Sequence, residues 1–483
     1  MQKSITTVVS VAFVGGLLGR GLRYLLNVVI ARGLGAEALG TFAFGMVVLK
    51  FLAVFSRLGF DSVALKYVPR YRNEDGDARI LGLTIVGLGL PLVAGSVLGV
   101  VVTVATPSFS TFLDPRLLET LPLFAVGIPL FSAMYVGMAI TRGYNVSKYT
   151  VYTRDVGQSI AAIVLVATGA FVLTDFSVTV VGYVASMAVG FGLVVWFLTR
   201  QRALRFDVRP RFELREWITF SIPVLAISVT QFLVGWTDIL MLGAFVSAGD
   251  IGWYQAAYQT SLLLLVVHQS ANSIFPSLAS SLYDRDDIER LESTYVAVTK
   301  WIVALTGLGG AFLLLYRSEV LRLFGETAPQ AATALVVLAV GQFVTAGVGS
   351  AGFILSMSGH ERLESLNTLA VVILNVVLNY VLIQEYGIIG AAIATSISTG
   401  LLNVVRVSEI YWLLDVHPYS RAYWRGVVGV AVGVVILIAA RAIPLFPLGK
   451  AFVAGALALT GFGVTMVVLG TDRYDRLLVE SLD

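Results

Sequence analysis

The stretch TRQRALRFDVRPRFELREW, residues 199–217, gathers Arg200, Arg202, Arg205, Arg209, Arg211 and Arg215 against only Asp207, Glu213 and Glu216. It lies between two long apolar halves. Lys and Arg near the ends of hydrophobic spans resist translocation, so a run this basic reads as a cytoplasmic loop between membrane-embedded segments. The same loop marks a seam. Adding 212 to positions in the first half lands on similar residues in the second: Gly40 on Gly252, Phe42 on Tyr254, Tyr71 on Tyr283, and Asp75 on Asp287. In outline, GAEALGTFAFG (35–45) is answered by SAGDIGWYQAA (247–257), and each is followed by an apolar run and a charged loop.

Composition agrees that lipid is the main solvent. The chain is 57% hydrophobic and 13% charged, with a mean hydropathy of +0.86, whereas a soluble domain carries about 25% charged residues. Fourteen apolar segments stand out, at 6–31, 39–65, 80–105, 117–140, 151–173, 178–198, 218–243, 252–278, 296–316, 330–356, 364–384, 388–413, 425–441 and 451–470. Each is near the ~20 residues a helix needs to cross a bilayer. They are continuous runs rich in Val, Leu, Ala and Gly rather than alternating strands, so the expected fold is an all-α polytopic membrane protein with about 14 transmembrane helices. The start, MQKSITTVVSVAFVGGLLGR, reads as the first span rather than a removable signal peptide, because no small-residue cleavage site precedes its charges.

The halves divide the chain into an N-terminal lobe (1–199), a basic linker (200–217), a C-terminal lobe (218–414), and two further spans with a tail (415–483). With the N-terminus inside, 22 of the 33 cations fall on cytoplasmic segments and 6 on outer ones. That asymmetry places both termini in the cytoplasm. Cysteine is absent, which removes disulfides, thiolate metal sites and cysteine nucleophiles. There is no GxxxxGK[ST] loop, HExxH or GxSxG, and the three histidines, His268, His360 and His417, are scattered. The expectation is therefore a transporter and not an enzyme, with no cofactor, no metal and no nucleic-acid partner.

GLLGRGLRYLLNVVIARGLGAEALGTFAFG (16–45) resembles the opening of prokaryotic polysaccharide flippases of the multidrug/oligosaccharidyl-lipid/polysaccharide exporter superfamily. NTLAVVILNVVLNYVLIQEYGIIGAAIATSIS (367–398) resembles the same family's eleventh and twelfth spans. The resemblance covers essentially the whole chain. It implies two pseudo-symmetric lobes around a central cavity, opened alternately to either side. It also implies a polyprenyl-pyrophosphate-linked oligosaccharide as substrate, a cytoplasmic (inner) membrane location, and a functional monomer working near glycosyltransferases or a polymerase. Lipid II flippases of the superfamily show an Arg-Asp pair where this chain has Leu26-Asn27, which argues against lipid II. The alternative is an ion-coupled multidrug exporter, which needs an acid in its N-lobe cavity where the first span here offers arginines and Asn27.

The residues support a binding site independently. Arg20, Arg23 and Asn27 share one face of span 1, and Arg20 lies about 20 Å along it. Lys50 reaches a similar depth in span 2. A cation at mid-bilayer costs roughly 2.5–3.5 kcal/mol on insertion scales, so these should face protein or a wet cavity. They either pair with internal acids or meet an anionic cargo. The acids inside the spans, Asp61, Asp155 and Asp238, count as distant from midspan. Arg57 and Arg406 read as snorkelling cations near span ends, Arg57 with Asp61 four residues on as a partner. Gln255 and Gln259, and Asn375 and Asn379, lie one helical turn apart in their pairs. Such amides either bond helix to helix or line a sugar-binding cavity. Tyr254 and Tyr258, one turn apart, read either as sugar-stacking platforms or, in preference, as belt residues at the membrane interface.

Overall fold

The computed structural model describes residues 2–482 apart from Asp75, Phe206, Ser273 and Ile274, and describes side chains outside residues 2–14, Ser277 and 478–482. Asp75 of the repeat and the Lys3 side chain thus lie outside the description. Every element among the described residues is helical.

Among the described residues, ten helices are long and apolar enough to cross a membrane, and an eleventh results when the bent pair Pro115–Ala125 and Gly127–Gly143 is taken as one span. The difference from fourteen has a backbone cause. Two of the helices, Gln2–Arg57 and Glu361–Leu414, each hold two expected spans joined at one non-helical glycine, Gly35 (φ 88°) and Gly387 (φ 54°). Positive φ is nearly free for glycine and costly for other residues. Expected span 8 (252–278) is instead divided into Ala248–Ser261, a tighter turn at Leu262–Leu265, and the short helix Val266–Ala271.

Proline shapes one span and leaves two others whole. The bent pair turns by 50°, next to Pro129, which cannot donate to the carbonyl of Ala125. Pro91 and Pro223 stand inside continuous helices, Asp77–Ala105 and Leu214–Phe245. Near Pro91 the Ser56 hydroxyl donates to the Pro91 carbonyl at 2.9 Å.

Contacts divide the chain into two compact units, Met1–Gly252 and Trp253–Asp483. The first therefore includes the basic linker and the helix Leu214–Phe245, which packs on the first two helices. The linker is tied down: Arg205 bonds Asp77 and Asp207, and the Arg211 N–H donates to the Ala78 carbonyl at 2.9 Å. Tyr71 donates to Glu213 at 2.6 Å and accepts from the Trp217 indole at 2.9 Å. These bonds join the helix Phe60–Asn73 to the start of Leu214–Phe245.

In the second unit, Phe275, Leu291, Tyr295, Ile354, Leu355 and Ile410 form a buried cluster. The Tyr295 hydroxyl is satisfied inside it by the Val348 carbonyl at 2.6 Å. Arg406, expected to snorkel, is instead held by Glu364 across the two arms of Glu361–Leu414, with its Nε 2.9 Å from Oε2. Tyr254 is 0% exposed, which corrects its reading as a membrane-belt residue: its ring stacks on Tyr258 inside the protein, 6.0 Å between centroids.

Candidate functional site

Glycine brings the first span against the fifth. A Cβ on Gly15 would overlap Val151, and one on Gly19 would come within 2.6 Å of Asp155 Cβ. Small residues one turn apart let two helix backbones approach closely. The fifth span, Lys148–Leu173, is wound as a π-helix over Val151–Gln158. Such widened turns are rare and tend to mark functional positions. Arg154, Asp155 and Gln158 all belong to this turn, and Arg154 and Gln158 line the same cavity.

The result is a cavity of about 210 Å³ within the first unit, lined by Arg23, Lys50 and Arg154 together with Tyr135, Gln158 and Tyr183. Arg23 Nη1 lies 3.1 Å from Asp155 Oδ1, and Arg154 Nε lies 3.1 Å from the same oxygen. The Asp155 side chain is 4% exposed whereas that of Arg23 is 42% exposed, so the carboxylate is enclosed and the guanidinium still reaches open space. Arg20 lies one turn before Arg23, half-buried, in the field of the same charges. Lys50 makes no ion pair among the described residues. Its ammonium instead stands 4.1 Å from the centre of the Trp236 ring, a cation–π contact that favours a desolvated cation. Tyr183 and Gln158, both buried, complete the polar lining.

The expectation that Arg20 and Arg23 lack an internal counter-charge is therefore corrected. Asp155 is that counter-charge, and the distance along the helix hid it because the π-turn and Gly19 bring spans 1 and 5 into contact. Even so, three cations line this cavity against one carboxylate. A low-dielectric site with surplus positive charge suits an anion, and Arg forks match phosphate oxygens in particular. Arg154, at the start of the expected span 151–173, is a residue of this site. Tyr135 and Tyr183 carried no signal, because single tyrosines in apolar runs look like core.

The other expected residues have different settings. Asn27 is buried, and its amide donates to the Arg23 carbonyl at 2.7 Å. Asn375 and Asn379 are buried within Glu361–Leu414. There the Asn379 amide donates to the Asn375 side-chain oxygen at 3.0 Å, and the Asn375 amide reaches Ser398 at 3.5 Å. The contact to Ser398 joins the two arms of this helix, and the Asn379 side-chain oxygen has no partner among the described residues. Gln255 is buried and Gln259 half-buried on Ala248–Ser261. Both pairs belong to the second unit, and Arg20, Arg23, Asn27 and Lys50 belong to the first. The expected pair of Arg57 with Asp61 is present at 3.1 Å. No group of His, Cys, Asp and Glu suited to a metal occurs among the described residues.

Comparison with known proteins agrees with this architecture. The chain is 23% identical over 420 residues to the probable low-salt glycan biosynthesis flippase Agl15 of Haloferax volcanii, covering 85% of each chain. It is 26% identical over 269 residues to the probable flippase AglR of the same organism, covering 51% of this chain and 53% of that one. Among solved structures, the lipid II flippase MurJ in an inward closed conformation superposes with a TM-score of 0.73 at 15% identity, over 93% and 97% of the two chains. An inward-facing multidrug resistance MATE transporter gives 0.72 at 17% identity, over 82% of this chain and 94% of that one. These establish the fold. The model of one protein family, polysaccharide biosynthesis protein, matches residues 6–282, more than half of the sequence, and the chain is a member of that family.

Proposed function

We propose that this protein flips a polyprenyl-pyrophosphate-linked oligosaccharide across the cytoplasmic membrane by alternating access, for assembly of a surface polysaccharide or glycan. The observation that carries the reading is the surplus of positive charge in the first unit's intramembrane cavity, where Arg23, Lys50 and Arg154 outnumber Asp155. Arg23 and Lys50 meet the pyrophosphate, with Arg20 adding to the attraction. Asp155 holds Arg23 and Arg154 in place and lowers the cost of keeping them buried when no cargo is present. The names of the two Haloferax relatives support a flippase. Sugar hydroxyls are assigned to the amides of Gln255, Gln259, Asn375 and Asn379.

Both termini and the 199–217 loop face the cytoplasm in this reading, and the chain works as a monomer beside the enzymes that make and polymerise the glycan. No step is enzymatic, and the chain carries no nucleotide-binding loop to couple transport to ATP. An ion-coupled drug exporter asks for an acid able to take up and release a proton or Na⁺. Asp155 accepts from two guanidiniums, which favours the anionic cargo instead.

The test is a flipping assay in liposomes holding a fluorescent prenyl-pyrophosphoryl oligosaccharide, scored by its exposure to an external reagent. The expected result is transport by the wild type without ATP and loss of most of it in the Arg23→Gln, Lys50→Gln double variant at normal abundance. Full transport by that variant would place the anion elsewhere.

A further inference from the structure

On the face that carries the basic linker, the first unit has an open groove of about 800 Å³ between the helix Phe60–Asn73 and the start of Leu214–Phe245. None of its lining residues belongs to the intramembrane cation site. Its character changes along the second helix, from Glu213 and Arg215 at one end to Phe220 and Val224 at the other, a run of about 15 Å. The two acids at the polar end are engaged elsewhere: Glu213 accepts from the Tyr71 hydroxyl at 2.6 Å and Glu216 from Arg70 at 3.1 Å. The two cations, Lys66 and Arg215, are exposed and make no ion pair among the described residues. The Lys66 ammonium rests 4.0 Å from the centre of the Phe220 ring and 5.1 Å from that of Tyr67. Phe212, 48% exposed, offers a further ring to the groove.

A ligand for this groove must be amphiphilic, doubly anionic at its head, and able to lie against aromatic rings. We propose that the groove is a docking site at which the pyrophosphate-linked sugar head of the cargo lipid is captured before it enters the protein. This rests on the function proposed above and adds a second, peripheral site to it. Lys66 and Arg215 take the pyrophosphate, whose charge is twice that of a phospholipid's phosphodiester and matches the two cations. Phe212 and Phe220 face the apolar side of the sugar, and the Val224 end receives the first isoprene units. Ordinary anionic phospholipids share the phosphate and the tail but bring neither the doubled charge nor the sugar.

The experiment uses the full-length protein in phosphatidylcholine nanodiscs, titrated with short-chain prenyl-pyrophosphoryl glucose, with and without phosphatidylglycerol as competitor. Lys66→Gln with Arg215→Gln should weaken apparent affinity by about tenfold, as loss of charge-assisted hydrogen bonds implies, and Lys66→Arg with Arg215→Lys should restore most of it. In the flipping assay the same Gln pair should raise the half-saturating concentration and leave the maximal rate near that of the wild type. If the wild type binds and flips the probe but the Gln pair leaves affinity unchanged, the docking site is wrong and the function stands. If phosphatidylglycerol displaces the probe at equal concentration, the groove holds ordinary lipid and the docking site is wrong. If the wild type neither binds nor flips the probe, the proposed function falls and the docking site with it.

Discussion

At the scale of single residues, Gly19 shows what the cation site demands of its neighbours. A Cβ there would stand 2.6 Å from Asp155 Cβ and 2.7 Å from Asp155 Oδ1, whereas one on nearby Gly21 would meet nothing within 4 Å. Gly19→Ala should therefore push the Asp155 carboxylate off Arg23 and destabilise the protein by about 1–3 kcal/mol, the usual range for overpacking. Gly21→Ala should leave the melting temperature in detergent unchanged, and equal melting of the two variants would show that span 5 yields freely. The carboxylate itself carries a sharper prediction. Asp155→Asn keeps the shape but removes the counter-charge, so Arg23 and Arg154 should fold less well yet hold a pyrophosphate more tightly, read by a fall in thermal stability that added inorganic pyrophosphate partly reverses. A variant as stable as the wild type and indifferent to pyrophosphate would defeat that. Arg23 and Lys50, which line the cavity, stand out in the sequence because charges in apolar runs are expensive enough to need a reason; Arg20 stands out for the same reason but lies outside that lining. Arg154 and Asp155 do not, because they sit near a span's edge, where a charge needs no special reason, and the contact of that edge with Gly19 and Arg23 depends on the path of the chain.

At the scale of elements, the tail helix Arg473–Leu482 is fixed by its first turn. Asp475 N–H donates to Asp472 Oδ1 at 2.9 Å and Asp472 N–H to Asp475 Oδ2 at 3.0 Å, so each aspartate caps the other. Their remaining capacity meets Lys300, 2% exposed on Ile288–Leu315, at 2.6 and 2.7 Å, with the Trp301 indole donating to Asp475 at 2.8 Å. Asp472→Asn with Asp475→Asn would leave Lys300 buried without a counter-ion. That should cost about 3 kcal/mol and expose Arg473 and Arg476 to trypsin in the folded protein. The pH sign follows from Asp475. Burial pushes its carboxyl up, but hydrogen bonds from Lys300, the Asp472 backbone and Trp301 outweigh it and hold it below its ordinary value. A depressed folded-state value means that the stabilisation is complete above the unfolded carboxylate range, about pH 4, and is lost as pH falls through the lower folded value. Tail cleavage by an acid-tolerant protease should thus stay flat through neutral pH and rise only below about pH 4; a rise near pH 7 would point to another group. None of this was visible in sequence, since Lys300 and Asp475 are 175 residues apart, one near the edge of an expected span and the other in the tail beyond the last. The helix breaks were half-visible: the gaps between expected spans fell at Gly35 and Gly387, but not that one residue suffices for each.

At the scale of the molecule, the internal repeat becomes a contact. A Cβ on Gly40 would run into the Ala248 carbonyl, 2.6 Å from the Gly252 nitrogen, and one on Gly252 would run into the Ala36 carbonyl, 3.1 Å from the Gly40 nitrogen. Ala36 and Ala248, like Gly40 and Gly252, differ by the same 212 positions, so the two segments cross reciprocally, as a local two-fold would place them. The sequence showed that these positions correspond; that they touch depends on the path of the chain between them. The contact has a topological consequence. Residues 36–40 and 248–252 must lie on one side of the membrane, which needs an even number of crossings from one to the other. The linker is separated from residue 250 by the single helix Leu214–Phe245, so it must lie on the opposite side. We propose that this side is the cytoplasm, as the excess of cations on it implies. In this cysteine-free chain, Arg209→Cys and Asp250→Cys, both at exposed positions, should react with a membrane-impermeant maleimide from opposite faces: Asp250→Cys in intact cells, Arg209→Cys only after the membrane is opened. Labelling of both in intact cells would overturn the single crossing between them, and labelling of Arg209→Cys alone would invert the orientation while leaving the Gly40–Gly252 contact intact.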